Sequence, residues 1–206
     1  MRILTGFLLM AFSVLHAQSQ NAYEITANIQ PFKKGHLYLA YHFGNKQYLL
    51  DSAKIGEDGN AVFSGTKKLQ GGVYMIVYPE KNSWIECIID KQQKFSIKTD
   101  TSNAIVNLQF EGSSDNTLFS TYQKKSLDIG KQIAGLRTMG NQAKTPSAND
   151  SINNKIKGLN QEMLSYRNAF QKQNPEHLLS AIFNLLKDPE IPPAAKHPGG
   201  KYDSVY

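Results

Sequence analysis

Cysteine is almost absent from this sequence: Cys87 is the only one, so no internal disulfide can brace the fold. Tryptophan is as scarce, with Trp84 alone. Catalytic signatures are missing as well. There is no G-x-S-x-G elbow, no H-E-x-x-H zinc helix, no G-x-x-x-x-G-K phosphate loop and no C-x-x-C pair. Motifs therefore point to no catalytic residue, no metal and no cofactor. After residue 17 no apolar run approaches the ~20 residues that a membrane helix needs. The formal net charge is +6, but its lysines are dispersed, and Lys33-Lys34, Lys67-Lys68 and Lys124-Lys125 are isolated pairs. Nucleic-acid binding calls for a basic stripe interleaved with aromatics, so that class is set aside.

What is present begins with a leader. Arg2 precedes Ile3 to Leu15, a mostly apolar run interrupted by Thr5, Gly6 and Ser13 and too short to span a bilayer. Ala17 then meets the polar run "QSQNAY". This predicts a secretory signal peptide over 1–17, although Leu15 at the −3 position is not small. No cysteine follows the run, so no lipoprotein anchor is expected. Removing Arg2 lowers the charge from +6 to +5, and the mature chain is expected to be exported with no transmembrane span.

From Tyr23 to about Phe110 apolar residues alternate, with turn residues every eight to twelve positions. The segments "YEITANI", "GHLYLAYHF", "QYLLDSAKI", "NAVFSGT", "GVYMIVYPE", "SWIECIID", "KFSIKTD" and "AIVNLQFEG" make about eight strands. "GVYMIVYPE" is apolar enough for a central strand buried on both faces. Such a set suits a sandwich or an open barrel. We expect an α+β chain: an antiparallel β-sandwich over 22–112 followed by a helical region of about three helices over 113–206.

From Ser113 the period changes. Asn116 is placed to cap a first helix running from Leu118 to Met139, and "GNQAKTPSAND" (140–150) reads as a loop. Ile152, Ile156, Leu159, Met163, Tyr166 and Phe170 then form the narrow stripe of a helix packed in a hairpin, with Asn149 or Asp150 as its cap. "NPEHLLSAIFNLLKD" predicts a third helix capped by Asn174, with Pro175 in its first turn, stopped by Pro189 and lying across the pair. "PEIPPAAKHPGG" reads as extended, and "KYDSVY" as the start of a further helix.

Candidate chemistry is sparse. In "LLDSAKIGEDGNAVFSG" the acidic residues Asp51, Glu57 and Asp58 crowd around Gly56 and Gly59, but their spacing fails the alternate-oxygen pattern of a calcium loop. Asp58-Gly59 instead predicts the turn of a β-hairpin. His36 and His42 sit about 20 Å apart at strand rise, too far to share a metal. His177 and His197 have no histidine partner at ligand spacing. Alternation places Trp84, Glu86, Ile88 and Asp90 on one strand face and Ile85, Cys87 and Ile89 on the other. Cys87 is the one candidate thiol. No adjacent histidine or lysine would lower its pKa, and a small buried apolar role is expected for it.

The order of these segments, "LYLAYHFGNKQYLLDSAKIGEDGNAVFSG", "GVYMIVYPEKNSWIECIIDKQQKFSIKTD" and a helical stretch ending "NPEHLLSAIFNLLKDPEIP", resembles the N-terminal region of envelope thioredoxin-like proteins of the thiol–disulfide interchange type. The resemblance covers about Tyr23 to Tyr206. Its most specific parts are D-S-A…D-G-x-x-x-F-x-G and N-P-x…K-x-P-x-I-P. In that family a β domain of unknown function and a helical region precede a thioredoxin domain with a C-x-x-C pair. This sequence has no such pair, so no catalytic residue carries over. The resemblance implies an accessory half, truncated before the redox domain, in the periplasm or cell envelope of a Gram-negative bacterium.

Three functions compete. The first is a non-catalytic module that binds an unknown envelope protein or ligand. The second is a carbohydrate- or cell-surface-binding β module, with Trp84, Tyr38, Tyr41, Tyr48, Tyr74 and Tyr78 as candidate platform, although most of these rings are expected to pack the sandwich. The third is a redox protein working through Cys87 alone. Asp51-Ser52-Ala53, Asp150-Ser151-Ile152 and Asp203-Ser204-Val205 also resemble short envelope O-glycosylation acceptors.

Overall fold

The computed structural model describes residues 21–187 and 193–200. Eight strands come first: β1 (Tyr23–Gln30), β2 (His36–Phe43), β3 (Lys46–Lys54), β4 (Asn60–Gly65), β5 (Gly72–Val77), β6 (Trp84–Ile89), β7 (Lys94–Asp100) and β8 (Gln109–Glu111). Three α-helices follow, α1 (Ser114–Gln142), α2 (Pro146–Gln173) and α3 (Leu178–Leu185). The strands form two four-stranded sheets, ordered β4-β1-β7-β8 and β3-β2-β5-β6. The expected α+β architecture is the observed one.

Period-2 patterning explains the core. Ile25, Ala27, Ile29, Phe63, Phe95 and Ile97 from one sheet meet Leu37, Leu39, Ile76, Ile85, Cys87 and Ile89 from the other in a single buried cluster. Burying each large side chain contributes roughly 1.5–3 kcal/mol. β5 lies between β2 and β6 and buries Tyr74, Met75 and Ile76 in succession, as its unbroken apolar run predicts. Gln93, buried between the sheets' connections, takes the Leu69 N–H on Oε1 and donates from Nε2 to the Leu69 and Asp90 carbonyls, each at 2.9 Å.

Two pairings differ from the expectation. β1 runs antiparallel to β4 but parallel to β7, so its sheet is mixed. The Asp58-Gly59 turn is also no hairpin. β3 pairs with β2 and β4 pairs with β1, so this turn carries the chain from one sheet to the other. Its local chemistry is as foreseen: Gly59 takes φ +82°, and Asp58 Oδ1 accepts the Asn60 N–H at 3.0 Å. Turn type is local, whereas the strands it joins choose partners by which core they complete. The last strand is shorter than predicted. Residues 101–107 turn, held by the Asp100 carboxylate, which accepts from Ser102 N, Asn103 N and Asn107 Nδ2.

The caps also move. Ser113, not Asn116, caps α1 and accepts the Asn116 N–H at 3.2 Å. Thr145, not Asn149 or Asp150, caps α2, with Pro146 in its first turn, and only residues 143–145 separate the two helices. Both helices begin earlier because a cap followed by good first-turn residues wins over a later polar residue. Asn174 ends α2 instead of starting α3. His177 caps α3 through Nδ1, which accepts the Leu179 N–H at 3.0 Å. The predicted stripe on α2 is real: Met163 and Phe170 are buried and Ile152, Ile156, Leu159 and Tyr166 half-buried. Residues 194–196 and 198–200 form short 3-10 turns where an extended run was expected. Pro189, "KYDSVY" and the 1–17 leader lie outside the described residues.

A second apolar cluster joins the halves. Ile88, on the outer face of β6, packs with Phe119, Phe170, Leu179 and Phe183. Asn116 is fully buried beside it. Its Oδ1 accepts the Ile88 N–H at 2.7 Å and its Nδ2 donates to the Ile88 carbonyl at 2.7 Å. One side-chain amide thus supplies the pairing that a ninth strand would give the β6 edge.

Candidate binding surface

At one end of the β3-β2-β5-β6 sheet the register sets three tyrosines in a row, Tyr41 stacked on Tyr48 and tilted against Tyr74. Tyr41 pairs with Tyr48 on one side and with Tyr74 on the other. The ring centroids are 5.7 Å apart for Tyr41–Tyr48 and 6.0 Å for Tyr41–Tyr74. Phe43 stands edge-on to Tyr48 at 6.5 Å. Such cross-strand aromatic pairs stiffen the strands that carry them. β3 is an edge strand, and a bulge between the Leu39 and Ala40 pairings leaves Leu50 as its extra residue. Phe43 is 73% exposed and Leu49 65%, with Tyr48 and Leu50 also exposed. Scattered apolar residues need no explanation, but Phe43 and Tyr48 touch, and Phe43 and Leu50 border one cleft, so these three form a patch, whereas Leu49, opposite Ala40, faces the other side of the sheet.

The patch borders a cleft of about 460 Å³ lined by Tyr41, Phe43, Leu50, Lys68, Gln70 and Tyr74, among others. The Tyr74 hydroxyl donates to the Gln70 carbonyl at 2.9 Å, fixing the far wall. Burial, and then neighbouring Tyr41 and Cys87, push its phenol above the ordinary value. The cleft thus combines aromatic faces with a lysine and an amide, a mixture suited to a ligand with apolar faces and hydroxyls.

The other sequence candidates scatter. Cys87 is wholly buried in the sandwich core, and desolvation, then Glu86, pushes its thiol up to about 12. Tyr78 is buried against Phe32, Lys81 covers the Tyr38 ring at 4.6 Å, and Trp84 is exposed on the outward side of β6. The aromatics therefore do not make one platform; of the six, only Tyr41, Tyr48 and Tyr74 come into ring contact with one another. His36 and His42 stand at opposite ends of β2, against Lys54 and Gln47. Asp51 accepts the Tyr23 hydroxyl at 3.3 Å, whereas Asp58 serves its own turn, with Asn60 Nδ2 donating to it at 2.6 Å. Among the described residues no group of three or more His, Cys, Asp or Glu side chains converges as metal ligands. Ser52 and Ser151 are exposed, on β3 and α2; Ser204 lies outside the described residues.

Sequence reasoning passed over several residues. Phe43 and Leu50 looked like ordinary strand residues, since nothing local marks β3 as an edge. The His177–Asp115 approach, 3.3 Å from Nε2 to Oδ1, joins residues far apart in the chain. Nδ1 is the atom that accepts the Leu179 N–H, which leaves Nε2 on the side of Asp115. Nε2 is buried and makes no hydrogen bond, so the contact with Asp115 is one of proximity between the start of α3 and the start of α1. Arg167 lies over Tyr122 and Phe183 and donates to the Tyr122 hydroxyl at 3.0 Å.

No helix among the described residues is long and apolar enough to cross a membrane. No curated protein and no solved structure matches the chain. The sandwich that carries the tyrosine ladder, together with the start of α1, lies in residues 23–119, which match the family described as Domain of unknown function (DUF4369).

Proposed function

We propose that this chain is a non-catalytic binding module of an exported thioredoxin-like protein, and that it engages its partner through the aromatic end of the β2–β3 ribbon. The exposed Phe43, Tyr48 and Leu50, beside the stacked Tyr41–Tyr48 and tilted Tyr41–Tyr74 ring pairs, carry this reading. A rigid aromatic surface loses little conformational entropy on binding, which suits an anchor. The burial of Cys87 supports the non-catalytic part, since a thiol held near 12 supplies almost no thiolate at neutral pH. An insulin-reduction assay on the purified chain should show no turnover; clear turnover would sink the proposal. Export is tested by fusing residues 1–20 to an alkaline phosphatase reporter that is active only outside the cytoplasm.

A second reading has its own support. The cleft beside the ladder pairs ring faces with Lys68 and Gln70, as a carbohydrate subsite would. On a broad glycan array, binding that Tyr41→Ala abolishes favours this reading, and an empty array removes it.

A further inference from the structure

The α1–α2 pair carries a second surface, remote from the ribbon. Among the described residues past Gly130, α1 makes no side-chain hydrogen bond or ring contact to the sandwich; Lys131 and Ala134 border a cleft shared with Glu86 and Ile105, and α2 packs along the helix. There the two helices border a groove of about 600 Å³. Each presents a stripe at i, i+3, i+4 and i+7: Gln132, Gly135, Leu136 and Met139 on α1, and Lys155, Gly158, Leu159 and Glu162 on α2. In both stripes the i+3 residue is glycine and the i+4 residue leucine. A Cβ added at Gly135 or Gly158 would meet nothing within 4 Å, so the groove floor is open. Met139 is 62% exposed, and Leu136 and Leu159 only half-buried. Two helices alone leave this seam incomplete.

The α2 stripe is also self-complementary. Its ends are a cation, Lys155, and an anion, Glu162, placed symmetrically about Gly158-Leu159. Glu162 holds Lys125 through Oε1 at 2.6 Å and keeps a second carboxylate oxygen, while Lys155 is exposed with no ion-pair partner among the described residues. A two-fold axis through the Gly158-Leu159 step, with copies of α2 antiparallel, sets Lys155 of each copy against Glu162 of the other. The glycines let the helices approach, and Leu136, Met139 and Leu159 fill the seam.

We propose that this groove is a homodimer interface, occupied by the same groove of a second copy, with two symmetric Lys155–Glu162 pairs setting its register. The proposal is independent of what the ribbon binds. Sedimentation equilibrium of the purified chain should show a monomer–dimer equilibrium. Lys155→Glu and Glu162→Lys should each raise the dimer Kd by roughly 10-fold or more, because two attractive pairs become two repulsive ones. An equimolar mixture of the two variants should recover wild-type association, since each then meets its opposite. Both positions are exposed, and circular dichroism checks that the variants stay folded. A chain that remains monomeric overturns the proposal. So does a dimer that neither charge change weakens, a mixture that fails to associate, or a dimer that Leu49→Lys on β3 dissociates while the charge changes do not.

Discussion

Cys87 couples the core to alkaline pH. Its folded pKa of about 12 lies above the ordinary value of 9.0, so on titration in alkali the unfolded chain loses its proton first. The stability contributed by the neutral thiol is therefore complete below pH 9.0 and is lost as pH rises toward 12. The slope is on the order of 1.4 kcal/mol per pH unit in that window. Tyr74 and Tyr78, both raised mainly by burial, act in the same direction. Denaturant titrations between pH 8 and 11 should show this loss, and Cys87→Ala should flatten it. Cys87 should also resist alkylation in the native protein and react once the protein is denatured. Asn116 makes a different residue-scale demand. Asn116→Ala leaves the Ile88 N–H and carbonyl without their buried partner, at a cost of about 2–4 kcal/mol in chemical denaturation. Asn116→Asp keeps an acceptor for the Ile88 N–H but sets a carboxylate against the Ile88 carbonyl, so it should not rescue the loss.

At the scale of the element, α2 draws on local and distant contacts in different measure. Thr145 caps it by accepting the Ala148 N–H at 3.3 Å, and Thr145→Ala should cost about 1 kcal/mol. Phe170 packs edge-on against Phe183 and His177 in the second cluster, and Phe170→Ala should cost about 3–5 kcal/mol. Thermal unfolding of the two variants measures that difference. The α2 stripe was legible in the sequence because helical periodicity is a local property, and Met163 and Phe170 are buried where it placed them. The caps were not, because several polar residues near each start could serve and only the built turn selects one. The ribbon surface was half legible. Tyr41 and Tyr48 were candidates from the sequence, but Phe43 and Leu50 became so only once β3 proved to be an edge strand.

For the whole molecule, the decisive feature is the joint between sandwich and helices. Ile88, Asn116, Phe119, Leu179 and Phe183 come from three elements and cover the outer side of β6. A fragment ending at Gly112 would bare Ile88 and the β6 edge. It should unfold at lower denaturant than the whole chain and bind a hydrophobic dye such as ANS, which fluorescence during urea titration would show. The amino-acid sequence by itself determined the α+β class, the strand count, the helical stripe and the Asp58-Gly59 turn, because alternation, 3.6-residue periodicity and glycine's access to positive φ act within a few residues. Tertiary structure alone decided that this turn crosses between sheets, that β1 lies parallel to β7, that Asn116 completes β6 and that Tyr48, Tyr41 and Tyr74 meet in a row. Those outcomes depend on partners many residues away, and a strand's partner is selected by the core the two complete together.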